Sequence, residues 1–501
     1  MSTIPDNTPQ STMTDNDSID QKLSFAQDFL RRIRQTRLTR RIRFGIVSLV
    51  FLLWVVWMGN PWLSLGELLL FDIYITGYIP FTWWKKSKSQ TVRYVMGWVD
   101  AIVYALVLVY FIFAFVGQNY AIPSSSLEKT LLTGDYLWVN KMVYGPRVPM
   151  TPVYFPLVHN KLPFTDAKSY LDNPSLSYHR LKGLRSVESG DIAVFNFPAG
   201  DTVATKYEES PEYYELLVEK YGRERLHSDK ATFGDIIYRP VDRRVNFVKR
   251  VVGLPGQRLR IVSDTIYIDG KAQPMPENVQ FNYIINLSEP LTDELIDALD
   301  ITPSDVAMLP HNDETQMMLQ PLGIAPDGFT YALPLTAKMS ETLRSRGTLR
   351  ALVKMSDFWN LGTGSMYPRG LADSWTMSDW GGETGVLIPK KGMTVRLTPE
   401  AWNLYHRCIR NYENHPEAYF ADGQAYINGK PADTYTFAMD YYFMMGDNRH
   451  NSQDSRFWGF VPEDHIVGVP IFVLASFDRE RPLFDGYIRW NRFFRDANPD
   501  K

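Results

Sequence analysis

A single cysteine, Cys408, stands in the 501 residues. No intramolecular disulfide can form, and the paired-cysteine and Cys/His patterns of structural zinc sites are missing, so a disulfide framework and a zinc-stapled fold are both excluded. A dominant charge is also missing. The 53 Lys and Arg face 56 Asp and Glu, a formal net charge of -3 that leaves no global attraction for a nucleic acid. Residues 1–28 hold few large apolar side chains and many Ser, Thr, Asp, Asn and Gln, a composition that predicts a disordered tail. The whole chain exceeds what one hydrophobic core supports, so at least two structural units are expected.

What is abundant lies just after that tail. Residues 31–43, "RRIRQTRLTRRIR", form a basic block that the positive-inside rule assigns to the cytoplasm. Residues 44–58 are apolar but short against the roughly 20 residues that a spanning helix needs, so this stretch must borrow flanking residues or tilt. Residues 63–81 form a weaker candidate with Glu67, Asp72 and Pro80, followed by a second basic block at Lys85, Lys86, Lys88 and Arg93. Residues 94–116 are long enough to span. A hairpin turning at "GNPW" would put both basic blocks on one side and deliver everything after Gln118 to the other, which makes three transmembrane helices. The long polar tail and the repeated apolar segments argue for permanent anchors rather than a cleaved signal peptide.

From Ala121 onward, short β-rich runs alternate with Gly, Pro, Asn and Asp turns, which predicts a mainly antiparallel β fold. "TIYIDGKAQP" and "QAYINGKPAD" both read as a strand, an Asp-Gly or Asn-Gly turn and a returning strand. Residues 279–422 mix helical and strand patterns and read as an inserted α/β subdomain, and a smaller polar insertion covers residues 199–236.

Three segments carry chemistry. "IPSSSLEKTLLTGD" sets Ser124 and Ser126 behind Pro123 directly after the last apolar run, and serves equally as a polar linker. In "VNFVKRVVGLPG", strand alternation puts Lys249 on the face of Phe247 and Val251. Desolvation there would lower the ammonium from its usual range and make Lys249 a general base, while the bland alternative is a stem packed on the sheet with its charge in water. "GDNRHNSQDSRFWGFVP" concentrates Asp447, Arg449, Ser452, Asp454 and Arg456 between aromatics, the pattern of a loop held by hydrogen bonds and ion pairs.

Together and in this order, after an N-terminal anchor, these segments resemble the type I signal peptidases, membrane-bound Ser/Lys proteases of family S26. The resemblance implies Ser126 as nucleophile and Lys249 as base, with the Ser124 hydroxyl and the Ser126 N–H as oxyanion hole. It further implies that Ser452 orients the lysine amine, with Asp447, Arg449, Asp454, Arg456 and Arg250 as supporting charges. It implies cleavage of secretory preproteins after a small-x-small motif, in a bacterial inner membrane with the catalytic domain outside the cytoplasm. The bilayer is an implied partner, and so is the translocation machinery. Side chains supply base, nucleophile and oxyanion donors, so no metal or organic cofactor is expected. Leu127 stands where the family usually has Met, and Gln257 and His450 each replace an Asp. The expected order is a tail and basic block (residues 1–43), a membrane region (44–118), the catalytic β domain (119–278 and 423–501) and the insertion (279–422).

Three rival readings remain at this level. "GTGSMYP" makes Ser365 a second candidate nucleophile, and His450 beside Asp454 suggests a Ser/His/Asp triad. The third is a membrane-anchored binding or assembly module without proteolytic activity.

Overall fold

The computed structural model describes residues 25–165, 167–207, 214–302, 305–324, 329–369, 375–484 and 486–499. The tail expected to be disordered lies outside them up to residue 24, and Phe25–Gln35 is helical. The chain forms two compact units, Met1–Val103 and Tyr104–Lys501.

In the first unit a long helix, Leu38–Met58, ends at Gly59, whose positive φ of 66° lets its N–H bond back to the Val56 carbonyl. The chain then turns at Asn60 and returns through three short helical pieces, Pro61–Leu65, Gly66–Phe71 and Asp72–Thr76. They run back along the long helix. Ser48 Oγ donates to Glu67 Oε2 at 2.9 Å, the Phe44 and Phe71 rings lie 5.7 Å apart, and Arg32 Nη1 donates to the Thr76 carbonyl at 2.9 Å. The hairpin is therefore present, but the expectation of a spanning helix within residues 63–81 is corrected. Among the described residues only Leu38–Met58 and Gln90–Val116 are long and apolar enough to cross a membrane. The reason is local. The Asp72 carboxylate accepts hydrogen bonds from Thr76 Oγ1, the Tyr78 N–H and the Ile79 N–H, which turns the chain out of the helix at Gly77.

The second unit is built on a seven-stranded sheet in the order Gly117–Ala121, Asp135–Asn140, Ile466–Ser476, Ile192–Asn196, Asn246–Gly253, Tyr441–Met445 and Val461–Pro462. All neighbours pair antiparallel, as the strand-and-turn pattern predicts. The central Ile192–Asn196 strand is buried throughout, while Asp135–Asn140 alternates buried and half-buried positions. Both anticipated hairpins form. Asp269-Gly270 and Asn428-Gly429 have positive φ at both turn residues, which suits the twist of a two-residue hairpin.

Residues 281–354 carry a sheet of their own, in which Phe281–Leu287 lies between Phe329–Leu335 and Leu349–Lys354. The later part of the same stretch does otherwise. Trp380, Ile388, Tyr405 and Ile409 share one apolar core with Val252, Leu259, Phe443 and Phe460, so this part packs against the strands Asn246–Gly253 and Tyr441–Met445 of the main sheet. The sheet thereby brings the serine segment, the lysine strand and the last motif together.

Candidate active site

Ser126 owes its position to its apolar neighbours. The edge strand Gly117–Ala121 pairs only with Asp135–Asn140, and the chain then passes buried Ile122, Pro123 and extended Ser124 into a single turn, Ser125–Leu127. Leu127 drives into a core with Leu131, Leu137, Val139 and Ile192, which pins the turn from below. Lys249 lies on the Asn246–Gly253 strand opposite Ala193, with its Nζ 5.8 Å from the Phe247 ring centre, on the face that alternation predicts. Its Nζ donates to Ser126 Oγ at 2.5 Å, across 123 residues of sequence. Burial is the main influence on that amine and lowers its pKa from 10.5 to about 8, against the upward pull of Asp454 and Asp447. The buried alternative, not the snorkelling one, is the observed state.

The last motif wraps this pair. Asp447 receives both arms of Arg250, Nε at 2.8 Å and Nη2 at 2.7 Å, and also Thr130 Oγ1 at 2.9 Å. Asp454 holds Arg456 in the same two-armed way, each contact 2.8 Å, and accepts from the Gly446 N–H at 3.2 Å. Arg456 in turn donates to the carbonyls of Arg449 and Met377. Asn448 grips the serine turn by its backbone, N–H to the Ser126 carbonyl at 3.1 Å, and by its side chain to the Ser125 carbonyl at 3.3 Å. Arg449 differs from Arg250 and Arg456: its buried Nε has no hydrogen-bond partner among the described residues, and burial lowers its pKa to about 10.

Ser124 is exposed, two residues ahead of Ser126. Ser452 is buried, and its Oγ bonds to nothing among the described residues, Lys249 included. Residue-by-residue reading missed Thr130, Asn448 and Gly446. Gly446 has a steric reason to be glycine, because a Cβ there would lie 2.3 Å from Ser452 Oγ and 2.5 Å from the Ser126 carbonyl oxygen. The hydroxyl can rotate away but the carbonyl can move only with the nucleophile's own backbone. Gly446→Ala is therefore expected to lower kcat/KM by about 100-fold, through a misplaced Ser126, while the fold persists. Parallel kinetics and thermal unfolding check this.

The rival nucleophile and rival base are elsewhere. Ser365 sits in a turn between Gly362 and Gly364 on one side and buried Met366 and Tyr367 on the other. Those two apolar residues explain the "GTGSMYP" segment. Tyr367 packs against Gly459 and donates to the Leu404 carbonyl, and its own carbonyl accepts from Trp380 Nε1. His450 Nδ1 accepts from the Asn282 N–H at 3.1 Å, its ring meets Phe281, and its Nε2 lies 3.8 Å from Asp264. No described contact joins it to a serine or to Asp454. Cys408 is buried, and burial raises its thiol well above the usual range. Among the described residues no three His, Cys, Asp or Glu side chains cluster as metal ligands.

The arrangement can deprotonate a hydroxyl without a histidine: a desolvated amine is in contact with a serine, and both are braced by two carboxylate–guanidinium pairs. The family described as signal peptidase, peptidase S26, matches residues 95–295 and 410–475, just over half of the chain. The signal peptidase I of Buchnera aphidicola from Baizongia pistaciae is 21% identical over 414 residues, which cover 83% of this chain and 87% of that protein. The Buchnera enzyme from Acyrthosiphon pisum is 42% identical over 84 residues, 17% of this chain and 25% of that relative. Signal peptidase I of Haemophilus influenzae is 49% identical over 53 residues, 11% of this chain and 15% of that relative. These two shorter matches thus span a quarter or less of the relatives' lengths, whereas the Baizongia match runs through most of both proteins. With the family model matched over just over half of the chain, in two stretches separated by residues 296–409, the chain belongs to the signal peptidase family, peptidase S26.

Proposed function

We propose that this protein is a membrane-anchored serine endopeptidase that removes signal peptides from secretory preproteins, with Ser126 as nucleophile and Lys249 as its base. The observation that carries the reading is the 2.5 Å contact between Lys249 Nζ and Ser126 Oγ beneath a surface that keeps the lysine 4% exposed. In the neutral form the amine accepts the serine proton as Oγ attacks the scissile carbonyl and passes that proton to the departing nitrogen, so that an acyl-enzyme forms as the new amino terminus leaves and the lysine is neutral again. The same amine then draws a proton from the water that releases the signal peptide. The Ser124 hydroxyl and the Ser126 N–H are assigned to the tetrahedral oxyanion, a contribution worth several kcal/mol in acyl transfer. Ser452, whose buried hydroxyl has no partner among the described residues, is assigned to steadying the amine during the reaction. Asp447 with Arg250, and Asp454 with Arg456, hold the walls, and Arg449 adds positive charge to the same shell.

The membrane arrangement follows from charge. The hairpin begins and ends at the same level, since Arg32 reaches Thr76, so the basic blocks before and after it share one side, the cytoplasmic one. Gln90–Val116 then makes the net crossing and delivers Ser126 to the outer face of a bacterial inner membrane. There the apolar core of a signal peptide gives way to its small-residue cleavage site, as substrates leave the translocation machinery.

The test is cleavage of a purified preprotein by the detergent-solubilised protein, with the cut located by mass spectrometry. A cut after a small-x-small sequence supports the reading, and an intact preprotein over a range of pH removes it. The base must be neutral, so kcat/KM is expected to rise about tenfold per pH unit below the lysine's value and to level off above about 8. A profile that is flat between pH 6 and 9 would exclude Lys249 as the base.

A further inference from the structure

A cavity of about 280 Å3 opens between the end of the apolar helix and the start of the lysine strand, bounded by Ala114 of the last helical turn and by Asn246. Three cations line it, Lys141, Arg147 and Arg243, against one carboxylate, Asp242. Each cation is held by neutral oxygens. Lys141 Nζ donates to the Phe113 carbonyl and to Gln118 Oε1, and Arg147 donates to the Asp464 carbonyl and, at 2.7 Å, to Asn196 Oδ1. Arg243 donates to Thr151 Oγ1 at 2.6 Å and stacks on Tyr154. Asp242 spends one oxygen on the Thr151 N–H and hydroxyl, and its other oxygen is buried without a partner among the described residues. With all three cations protonated, the lining carries a formal excess of two positive charges in a desolvated place. Burial, aided by Arg147 and Arg243, lowers Lys141 to about 7, which is the electrostatic cost that a bound anion would relieve.

Location says which anion. Phe113 and Ala114 belong to the final turn, Ile112–Val116, of an apolar helix long enough to cross a bilayer, the depth at which the hydrocarbon ends and the headgroups begin. The loop of residues 146–184 is tied to this helix end. Tyr110 Oη donates to the Pro152 carbonyl at 2.8 Å, and the Tyr110 and Tyr154 rings lie 4.9 Å apart. That loop leaves Val153, Phe155, Leu157 and Phe164 exposed, and Leu157 also lines the cavity. Exposed apolar side chains beside a cationic hollow suit a molecule that has an acyl chain next to a phosphate.

We propose that this cavity binds the phosphodiester of a membrane glycerophospholipid, through Lys141 and Arg147, while the loop bearing Phe155, Leu157 and Phe164 rests in the acyl–headgroup boundary. The anchor would then be supplemented by a lipid clamp that holds the catalytic sheet down on the bilayer. A peptide occupant fits less well. The cavity reaches the lysine strand at Asn246, about 10 Å along it from Lys249 at the usual strand rise, but three cations oppose the apolar segment of a signal peptide. The proposal rests on membrane anchoring and not on the serine–lysine chemistry, so its failure would leave the peptidase reading intact.

The full-length protein in detergent would be titrated with dioleoyl phosphatidylglycerol and bound lipid counted by native mass spectrometry. Wild type is expected to retain one lipid that Lys141→Gln/Arg147→Gln binds at least tenfold more weakly, whereas Lys141→Arg retains it. Preprotein cleavage in lipid-free micelles reports that each variant is folded. Equal retention by wild type and the double variant overturns the proposal. So does displacement of the lipid by inorganic phosphate of equal affinity, which would make this a free-phosphate site. A raised KM for preprotein with unchanged lipid retention also overturns it, in favour of a peptide groove.

Discussion

Ser126→Ala and Lys249→Met are each expected to reduce preprotein cleavage by about six orders of magnitude, the scale on which nucleophile and base losses fall in serine hydrolases, while Ser365→Ala cleaves like wild type. The two inactive variants should behave differently as proteins. Ser126→Ala removes one hydroxyl from a well-packed turn and should leave stability nearly unchanged. Lys249→Met replaces a buried amine with an apolar side chain of similar length. The folded lysine titrates near 8 and the unfolded one near 10.5, so at pH 7 the unfolded chain holds its proton more readily and the native state bears a cost. That cost is on the order of 3 kcal/mol for a fall of this size. Lys249→Met should therefore unfold at an equal or higher temperature than wild type at pH 7, with the difference vanishing as pH approaches 10.5. Loss of activity with gain of stability would identify Lys249 as a residue kept for chemistry. Full activity in either variant would move the active site elsewhere.

The second large effect concerns Asp454. Asp454→Asn keeps the shape of the side chain but leaves the Arg456 guanidinium buried without its counter-charge, in a pair whose members are 0% and 1% exposed. Removal of one partner from such a pair costs about 3–5 kcal/mol. The substitution should also act on the reaction. Asp454 is the largest influence that raises the Lys249 pKa, so its neutralisation lets burial and Arg456 lower the amine further. The acid limb of the pH–rate profile is then expected to shift below about 8 while the unfolding temperature falls. A variant with lowered stability and an unmoved limb would show Asp454 to be a brace for Arg456 alone.

These effects depend on contacts that sequence reading reaches unevenly. The GDNR segment is legible as a hydrogen-bonded loop because it concentrates small polar and charged residues between aromatics. Which carboxylate takes which guanidinium is not legible there, since Asp447 pairs with Arg250, 197 residues away, rather than with its neighbour Arg449. Arg449 was expected among the supporting charges, and its buried Nε has no hydrogen-bond partner among the described residues. Gly446 and Asn448 escaped notice because their importance is steric and backbone-borne, and neither property has a residue-type signature.

Hydropathy misjudged residues 63–81 for a related reason. A window average counts Leu and Phe but not the three hydrogen bonds by which Asp72 ends the helix. The inserted region also divides in a way that composition did not suggest, one part building its own sheet and the other filling the core behind the lysine strand.

By itself, the sequence determined whatever depends on a few adjacent residues. It specified the two Asp-Gly and Asn-Gly hairpins, the apolar helices and their basic flanks, the face of the strand on which Lys249 lies, and the family-like order of the three motifs. Those are set by backbone sterics, side-chain alternation and partition into lipid, all of which act locally. Tertiary structure alone decided how closely Ser126 meets the lysine, how far burial lowers its pKa, which ion pairs close around it, and that three cations surround a cavity at the foot of the apolar helix. Each of these is a property of space enclosed by segments distant in the chain. Desolvation and Coulomb energy depend on what fills that space, and sequence distance carries no information about it.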